Sequence, residues 1–254
     1  MPSFDSYSAD DRLRLLLQGP PGSTKSSLLF QVPDNWIFDL DHNLGGPMRF
    51  AREHGLPLPL GYDVVDIDDD GKPVDKKNRW AVFDKKLKRV QADPKVKAIS
   101  IDSGTIFADM LVTEVLRSQG KEAISDYKDG RQFWGFYAVA GKQLMSTLMN
   151  MRKHIFLTIH ERTDTDEKGN VVYPIKVTWP GQVGEIISLF FTDNWRIQLE
   201  RKAATKPGMP VEYEQILTTM PSYQYALKNS LGLPEKFRFD WKLIESKLAG
   251  GTKP

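Results

Sequence analysis

The sequence predicts an α/β fold in which a mostly parallel sheet is flanked by helices. Short apolar runs, each typical of a buried strand, alternate with segments of helical periodicity along most of the chain. A helix is the usual connection between two parallel strands, so this alternation favours a parallel sheet over an all-α or all-β fold. The apolar runs are residues 12–18, 36–41, 97–102, 154–160 and 195–200.

The bulk composition excludes several classes of protein. The chain has 254 residues, a formal net charge of +2 and no cysteine. This charge balance does not commit the protein to nucleic acid, and the lack of cysteine excludes disulfides, thiolate zinc sites and cysteine nucleophiles. The first residues, MPSFDSYSADD, are polar and acidic, unlike a signal peptide, and no apolar stretch approaches the length of a membrane span. We therefore expect a cytoplasmic protein with no membrane partner.

One large domain with short additions is the predicted organisation. An N-terminal tail covers residues 1–11, and the core covers residues 12–226. Within the core, residues 62–97 are predicted to form a basic helical insertion, and residues 162–180 a β-hairpin excursion. Residues 227–254 are predicted to form a small C-terminal extension with a turn and a helix.

Directly after the first apolar run, the segment GPPGSTKS at residues 19–26 resembles a phosphate-binding P-loop. The template is G-x-x-x-x-G-K-[ST], and Thr24 takes the place of its second glycine. A strand followed by a glycine-rich loop and a helix N-terminus presents backbone N–H groups to an anion. This pattern predicts ATP and Mg²⁺ as cofactors. The predicted binding residues are Gly19, Pro20, Pro21, Gly22, Ser23, Thr24, Lys25, Ser26 and Ser27.

Two side chains of this loop have predicted roles. Lys25 is expected to reach the β- and γ-phosphates, and Ser26 to ligate magnesium. Thr24 adds a β-carbon where the backbone approaches phosphate, so binding is a better expectation than fast hydrolysis. The alternative is a proline-rich turn ahead of a helix that Ser23 or Thr24 caps, with no ligand.

Asp102 ends the apolar run 97–102, as the acid of a Walker B strand does. There it would hold the magnesium ion together with Ser26. A lone aspartate after a strand is also a common N-cap of the next helix, and only the P-loop upstream favours a metal ligand.

Two further polar groups close predicted strands near the loop. Asp41 follows Asp39 by two residues, so alternation along a strand places both on one face, and Asp41 is expected to orient the attacking water. The alternative makes both aspartates turn-formers before a glycine pair. His160 ends another apolar run and is expected to sense the γ-phosphate from the carboxyl edge of the sheet, with Glu161 as the second choice. The predicted catalytic residues are therefore Lys25, Asp41, Asp102 and His160.

A basic segment lies between the second and third predicted strands. Residues 72–97 hold ten basic and three acidic side chains, after an acidic cluster at residues 63–70. Apolar residues recur at helical spacing from Trp80 to Val90, which predicts an amphipathic helix. Such a helix can follow a nucleic-acid backbone, although most basic helical faces are simply solvated. Its predicted exposed face carries Lys85, Lys86, Lys88 and Arg89.

In order and spacing, these motifs resemble those of the RecA-like P-loop ATPases of bacteriophages that are linked to single-strand annealing recombination. The resembling segments span most of residues 12–202 and read GPPGSTKSS, WIFDLDHNLGG, AISIDSGTIF, IFLTIHERTD and WPGQVGEIISLFFTDNWRIQLERK. The resemblance implies a RecA-like core that binds ATP and Mg²⁺ and assembles into homo-oligomeric rings or filaments. It also implies action on single-stranded DNA beside a single-strand DNA-binding protein. A phage-encoded protein of this kind would work in the host cytoplasm.

The same resemblance assigns roles to further residues. Residues 162–184 would correspond to mobile DNA-contacting loops, near which Tyr173 and Trp179 are candidates for stacking on bases. Basic residues late in the chain are candidates for completing the ATP site of a neighbouring subunit, or are solvated strand-edge groups. These residues are Arg196, Arg201 and Lys202. Two other functions are compatible with the sequence: a nucleotide-gated scaffold with little turnover, and a P-loop small-molecule kinase.

Overall fold

A parallel sheet with helices on both faces organises the computed structural model, which describes residues 12–202 and 213–250. In chain order the strands are β1 (Arg14–Gly19), β2 (Asn35–Asp39), β3 (Gly61–Asp63), β4 (Ala98–Asp102), β5 (His154–Thr165), β6 (Val171–Val177), β7 (Asp193–Arg201), β8 (Tyr213–Thr218) and β9 (Lys236–Phe237). The helices are α1 (Lys25–Leu29), α2 (Gly45–Glu53), α3 (Arg79–Ala92), α4 (Gly104–Ser118), α5 (Gly130–Met149), α6 (Gly181–Phe190) and α7 (Trp241–Gly250). The predicted α/β fold class is confirmed. The predicted N-terminal tail, residues 1–11, lies outside the described residues.

The sheet is parallel through its centre and antiparallel at one side. Its strand order is β3-β2-β4-β5-β1-β7-β8-β9, with β6 paired to β5 away from this path. The pairs from β3 to β7 are parallel, whereas β7 pairs with β8 and β8 with β9 in antiparallel fashion. Every residue of β1 is buried, because β1 lies between β5 and β7 and both of its faces are covered.

Alternate side chains of β1 enter two separate hydrophobic layers. Leu16 belongs to a cluster with buried residues of α3, α4, α5 and α6, among them Phe83 and Tyr137. Leu15 and Leu17 belong to a second cluster, to which α1, α2 and α7 contribute. The sheet is therefore the middle of three layers, and it holds its strand ends in fixed positions.

Strand β5 continues beyond the parallel sheet and becomes one arm of a hairpin. As far as His160 it pairs with β1, and from Glu161 onward it pairs with the antiparallel strand β6. Asp166 closes the turn by accepting hydrogen bonds from the N–H groups of Lys168 and Asn170, at 2.9 and 2.8 Å. A hairpin thus projects from the carboxyl edge of the sheet, in the segment where the sequence predicts one.

Three elements carry no clear sequence signal. Helix α2 begins with Gly-Gly-Pro, which is more typical of a turn. Strand β8 mixes polar and apolar residues without strict alternation, and β9 has only two residues. These strands form because β7 offers them an edge, which local pattern does not reveal.

The basic face of α3 is not the open surface that the sequence predicts. Lys86 is only 5% exposed, and its Nζ donates hydrogen bonds to the carbonyl oxygens of Val64 and Ile67 at 2.8 and 2.9 Å. The chain before α3 folds back along the helix and brings these carbonyls to the lysine. The prediction that Lys86 is exposed is therefore wrong.

The acidic cluster that precedes α3 pairs with two of the other basic residues of this helix. Lys85 pairs with Asp69 at 2.6 Å, and Arg89 pairs with Asp63. Lys88 pairs within the helix, with Asp84 at 2.6 Å. Residues 62–97 also supply part of edge strand β3 and the helix that leads to β4, so this segment is built into the sheet.

The C-terminal extension packs against the sheet. Ile244 of α7 is fully buried in the same cluster as Leu13 and Phe156. Trp241 lies edge-on to His154, with ring centroids 5.2 Å apart. Neither α7 nor any other helix within residues 12–202 and 213–250 is both long and apolar enough to cross a bilayer.

The packing of α7 predicts the effect of a cavity beneath it. Ile244→Ala should lower the free energy of unfolding by about 2–4 kcal/mol, because the truncated side chain leaves unfilled space between α7 and the sheet. Urea unfolding followed by circular dichroism measures this change. Glu245→Ala, at the adjacent exposed position, is the control and should change it by less than about 0.5 kcal/mol. An equal decrease in the free energy of unfolding in the two variants would contradict the packing role of Ile244.

Candidate functional site

The carboxyl ends of four neighbouring strands meet at one edge of the sheet. Strands β1 and β5 pair Gly19 with His160, and strands β2 and β4 pair Asp39 with Asp102. Because β4 and β5 are also neighbours, the four strand ends lie side by side. In open parallel sheets this edge is where ligands bind.

A cleft of about 340 Å³ opens at this edge. Its wall combines the loop residues 22–27 with Asp41, Asp102 and His160, so the four predicted catalytic residues share one cavity. The wall residues that are not among the predicted site residues are Asn43, Pro47 and Ser103. The predicted loop residues outside this wall are Gly19, Pro20 and Pro21.

Lys25 is held by the carbonyl groups of its own loop. It is the first residue of α1 and is only 6% exposed. Its Nζ donates hydrogen bonds to the carbonyl oxygens of Gly19 and Pro20, at 2.9 and 3.0 Å, and lies 3.2 Å from Nδ1 of His160. The ammonium group therefore lies between the loop and the end of β5, at the wall of the cleft.

Burial makes the charged form of Lys25 unfavourable. It lowers the lysine pKa from 10.5 to about 8, although the carboxylates of Asp102, Glu161 and Asp41 oppose the shift. Within the described part of the chain, none of these carboxylates is close enough to form a salt bridge with Nζ. At neutral pH a buried cation with incomplete compensation therefore faces the cleft, which is a feature of anion-binding sites.

Asp102 is the buried acid of the cleft and is only 2% exposed. Its Oδ1 accepts a hydrogen bond from the hydroxyl of Thr158, whereas its Oδ2 has no hydrogen-bond partner among the described residues. Burial raises the pKa of Asp102 to about 6, against the hydroxyls of Ser26 and Thr158, which favour the carboxylate. Buried polar atoms are nearly always paired, so the unpaired Oδ2 indicates a position for a cationic ligand.

Thr24, which departs from the P-loop template, adopts a left-handed backbone conformation. Its φ of 66° and ψ of 27° are rare for a β-branched residue. Gln215 of β8 supports it, because its Nε2 donates to Oγ1 and to the carbonyl oxygen of Thr24 at 2.6 and 3.0 Å. The threonine therefore follows a backbone path that glycine adopts easily. Sequence motifs do not mark Gln215, since its role depends on where β8 lies.

The two aspartates at and just after the end of β2 have different surroundings. Strand β2 ends at Asp39, so the alternation that would place both on one face does not extend to Asp41. Asp39 accepts hydrogen bonds from the N–H groups of Asn43 and Leu44 at 3.1 and 3.4 Å, as a turn-former does. Asp41 lines the cleft, and its Oδ1 is buried without a hydrogen-bond partner in the described structure.

His160 lines the cleft, whereas Glu161 points to a different partner. Burial and the Lys25 cation lower the pKa of His160, so the ring is mainly neutral at pH 7. Glu161 accepts hydrogen bonds from Nε and Nη2 of Arg196 at 2.7 and 3.2 Å. The guanidinium of Arg196 also lies 4.4 Å from the ring centroid of Tyr225.

The Glu161–Arg196 pair bears on the basic residues that are candidates for completing the ATP site of a neighbouring subunit. Arg196 is engaged within its own chain, which argues against it as a group that completes a neighbouring subunit's site. Arg201 and Lys202 lie exposed at the end of β7. Sequence motifs do not predict the Glu161–Arg196 pair, because it joins the ends of two strands that are far apart in the chain.

The two aromatic residues predicted to stack on bases differ in exposure. Trp179 is only 2% exposed and packs edge-on against Phe107, so the prediction that it stacks on DNA is wrong. Tyr173 of β6 is 42% exposed, and its ring lies 5.3 Å from that of Tyr223. Of this pair of candidates, Tyr173 alone is accessible.

The groups in the cleft fit a magnesium ion shared with a phosphate ligand. Mg²⁺ is usually bound through one or two carboxylates, waters and substrate phosphates. Asp102 offers a buried, unpaired oxygen, and Ser26 lines the same cleft. Among the described residues, no group of three or more His, Cys, Asp or Glu side chains is arranged to hold a metal. The protein alone thus supplies a partial coordination shell, which phosphate oxygens would extend.

A second cavity adjoins the cleft across the loop. It has a volume of about 370 Å³ and shares Thr24 and Ser27 with the cleft. Its other wall residues are Gln31, Phe50, Leu56, Leu199, Tyr213 and Gln215. An apolar and aromatic space thus lies directly beside the polar cleft. It is assembled from distant parts of the chain, so sequence patterns do not reveal it.

The buried Lys25 predicts an unusual effect on stability. Lys25→Met should raise the free energy of unfolding at pH 7 by about 1–3 kcal/mol, because it removes a buried and poorly compensated cation. Below about pH 8 the lysine is charged in both the folded and the unfolded chain, so its destabilising effect is complete. As the pH rises from about 8 toward 10.5, the folded chain loses this charge first and the effect disappears.

The measurement is urea unfolding of both proteins at several pH values. The stability difference should shrink as the pH rises above 8. Lys242→Met, at an exposed position of α7, is the control and should show no such dependence. A Lys25→Met protein that is less stable than the original at pH 7 would contradict an uncompensated buried cation.

Comparison with known proteins gives one family. The family model AAA_24, described as an AAA domain, matches residues 11–230, a range that includes the whole wall of the cleft. A search of curated proteins found no match. The predicted P-loop nucleotide-binding type of domain is thereby confirmed, and the chain belongs to the AAA_24 family of AAA domains.

Proposed function

We propose that this AAA domain binds ATP with Mg²⁺ in the cleft and hydrolyses it slowly. One observation carries the proposal: the cleft places a buried cation and an unpaired buried carboxylate oxygen in one cavity, on Lys25 and Asp102. Neither group is favourable in the protein alone, and a phosphate with its magnesium ion would complement both.

Lys25 and the loop bind the phosphates in this proposal. A phosphate oxygen that accepts a hydrogen bond from Nζ offers a full negative charge, whereas the carbonyls of Gly19 and Pro20 offer only dipoles. Nucleotide binding should therefore restore the lysine pKa toward its ordinary value and keep Nζ protonated. The first turn of α1 adds backbone N–H groups at the same place.

Asp102 and Ser26 would hold the magnesium ion, which neutralises charge on the phosphates when it is bound. Asp41 has a buried oxygen without a donor at the same wall, so it can accept a hydrogen bond from water and orient that water. His160, in contact with Lys25 Nζ, lies where it can respond to the terminal phosphate.

The cleft also gives a reason for slow turnover. Of the wall residues, Lys25 alone is a lysine or arginine. Phosphoryl transfer usually requires a further cation near the developing charge, often an arginine from a neighbouring subunit. This need supports the proposal that the protein works as a homo-oligomeric ring or filament, with a cation contributed by the next copy.

We extend the proposal to a RecA-like protein of phage DNA recombination or single-strand annealing. It would act on single-stranded DNA in the host cytoplasm, with a single-strand DNA-binding protein as a partner. The support is the order of the motif segments along the chain and the hairpin that projects from the carboxyl edge, with Tyr173 exposed on it. Two alternatives remain: a nucleotide-gated scaffold, which would bind ATP without turnover, and a small-molecule kinase, which would transfer the phosphoryl group to an acceptor.

The second cavity supports a nucleoside triphosphate over free phosphate as the ligand. Tyr213 and Phe50 expose 60% and 49% of their surfaces at its wall, and aromatic rings of this kind stack on a base. Gln31 adds an amide that can bond to a base or a ribose. Because this cavity shares loop residues with the cleft, one nucleotide can occupy both.

The catalytic assignment is tested by separating binding from turnover. Lys25→Ala should abolish measurable ATP binding, since the phosphates lose their buried cation. Asp41→Asn should keep ATP affinity within about threefold and lower hydrolysis by about 10²–10⁴-fold, since only water orientation is lost. Calorimetry with ATP and Mg²⁺ gives the affinity, and phosphate release gives the rate. Asp84→Asn, on the exposed side of α3, is the control.

The outcomes distinguish the proposals. Unchanged ATP affinity in Lys25→Ala would reject the cleft as the nucleotide site. Unchanged hydrolysis in Asp41→Asn would reject this aspartate as the water-orienting group. Tight ATP binding with no turnover, with or without single-stranded DNA, would favour the scaffold. Transfer of the phosphoryl group to a small acceptor would favour the kinase.

The nucleoside cavity is tested with a ligand that lacks a base. Tyr213→Ala should weaken ATP binding about tenfold, because loss of base stacking is worth roughly 1–3 kcal/mol. Its affinity for inorganic triphosphate, measured in the same way, should not change. Tyr223→Ala, which removes a 75% exposed ring outside this cavity, is the matched control. If Tyr213→Ala lost as much affinity for inorganic triphosphate as for ATP, a contact between Tyr213 and the base would be contradicted.

A further inference from the structure

A groove lined by basic side chains lies at the amino edge of the sheet, opposite the nucleotide cleft. We call it the basic groove. It has a volume of about 470 Å³, and its lining residues are Arg12, Lys97, Arg152, Lys153 and His154. Four of these five residues are lysine or arginine, and the fifth is histidine. No motif of the proposed ATPase includes them.

The sheet brings these residues together from three separate parts of the chain. Lys97 directly precedes β4, Arg152 and Lys153 precede β5, and Arg12 precedes β1. These three strands are neighbours, in the order β4-β5-β1. Adjacent strands lie about 4.8 Å apart, so the basic residues spread over about 10 Å.

Lys153 and Arg12 also have a structural role, as donors to backbone carbonyl groups. Lys153 Nζ donates hydrogen bonds to the carbonyl oxygens of Asp93 and Val96, both at 2.6 Å. Arg12 Nη1 donates to the carbonyl oxygen of Met151 at 3.2 Å. Carbonyl groups after helix ends attract cations, but they carry no net charge. These bonds therefore hold both side chains in place and add no negative charge of their own.

The other two cations have no such role. Lys97 and Arg152 are exposed, and neither forms a salt bridge with any residue in 12–202 or 213–250. Burial and the nearby Lys97 lower the pKa of Lys153, and Asp93 is the carboxylate that opposes this effect. The contrast with α3 is clear, because Lys85 and Lys88 of that helix each pair with an aspartate at 2.6 Å.

An aromatic ring lies beside the basic residues. Trp241 of α7 is half-buried, and its ring contacts that of the groove residue His154 edge-on. Cations along a groove together with aromatic rings are the common pattern of sites that follow a single nucleic-acid strand. An acidic peptide would use the cations alone, so the aromatic neighbour favours a strand with bases.

We propose that the basic groove binds the phosphate backbone of single-stranded nucleic acid. This inference rests on the proposed action on single-stranded DNA. It places a phosphate-backbone contact at the amino edge of the sheet, in addition to the hairpin at the carboxyl edge and instead of α3. Strands β1, β4 and β5 run from the groove to the nucleotide cleft, so the two ligands would occupy opposite ends of the same strands.

The test compares two pairs of neutralising substitutions that remove the same charge. One variant carries Lys97→Gln and Arg152→Gln in the groove, and the control carries Lys85→Gln and Lys88→Gln on α3. The probe is a fluorescently labelled oligothymidylate of about 30 nucleotides, titrated at several salt concentrations by anisotropy. ATP affinity is measured in parallel and should be the same in both variants, since neither pair lies near the cleft.

The groove variant should bind the oligonucleotide about tenfold more weakly or worse. Its salt dependence, the slope of log K against log salt, should fall by about 1.4, since each phosphate contact with a single strand contributes about 0.7. The α3 control should keep its affinity within about twofold, because the aspartates already neutralise those lysines.

Four other outcomes would overturn the inference. Equal losses of oligonucleotide affinity in both variants would indicate general attraction to a positively charged surface, not binding in the groove. An unaffected groove variant beside normal oligonucleotide binding would reject the groove and leave the single-stranded DNA proposal standing. Absence of oligonucleotide binding in the unaltered protein, with intact ATP binding, would reject that proposal itself. Displacement of the oligonucleotide by polyglutamate of equal charge, at equal concentration, would identify an acidic-peptide site.

Discussion

The parallel register of β2, β4, β5 and β1 is the constraint on which the functional site depends. Each strand delivers one element to the same edge: Asp41 follows β2, Asp102 ends β4, His160 lies in β5, and the loop with Lys25 follows β1. A slip of one residue in any pair would turn the side chains of that strand to the opposite face. Because these strands are buried on both faces, the packing of their apolar side chains also fixes the chemistry at their ends.

The cleft brings together three locally unfavourable features. It contains a buried lysine with a lowered pKa, a carboxylate oxygen without a donor and a threonine with a φ of 66°. Elsewhere in the described structure, cations such as Lys85 and Arg89 pair with nearby aspartates. Local conflicts of this kind persist where the surrounding structure holds them in place, and they cluster at functional sites.

The two edges of the sheet present positive charge by different means. At the carboxyl edge, a short loop and the N-terminus of α1 present N–H groups, and one buried lysine adds a charge. At the amino edge, carbonyls after helix ends bind Lys153 and Arg12, and Lys97 and Arg152 add charge that is open to solvent. The first arrangement suits a compact phosphate group in a cavity, and the second suits an extended chain of phosphates.

The sequence by itself determined the features that depend on neighbours in the chain. Apolar runs predict the central strands, and the spacing of Gly19, Lys25 and Ser26 predicts the strand, loop and helix that follow. Asp102 and His160 are recognisable because each lies near the carboxyl end of an apolar run. These groups meet in one cleft because parallel strands end at the same edge, which the pattern already implies.

The tertiary structure alone decided which of the remaining residues are buried, paired or exposed. Lys86 is polar and Trp179 is aromatic, but their exposure depends on segments that fold over them from elsewhere in the chain. The support of Thr24 by Gln215 joins residues 191 positions apart. Burial and electrostatic pairing are set by three-dimensional neighbours, and a linear pattern holds information only about residues that share an element.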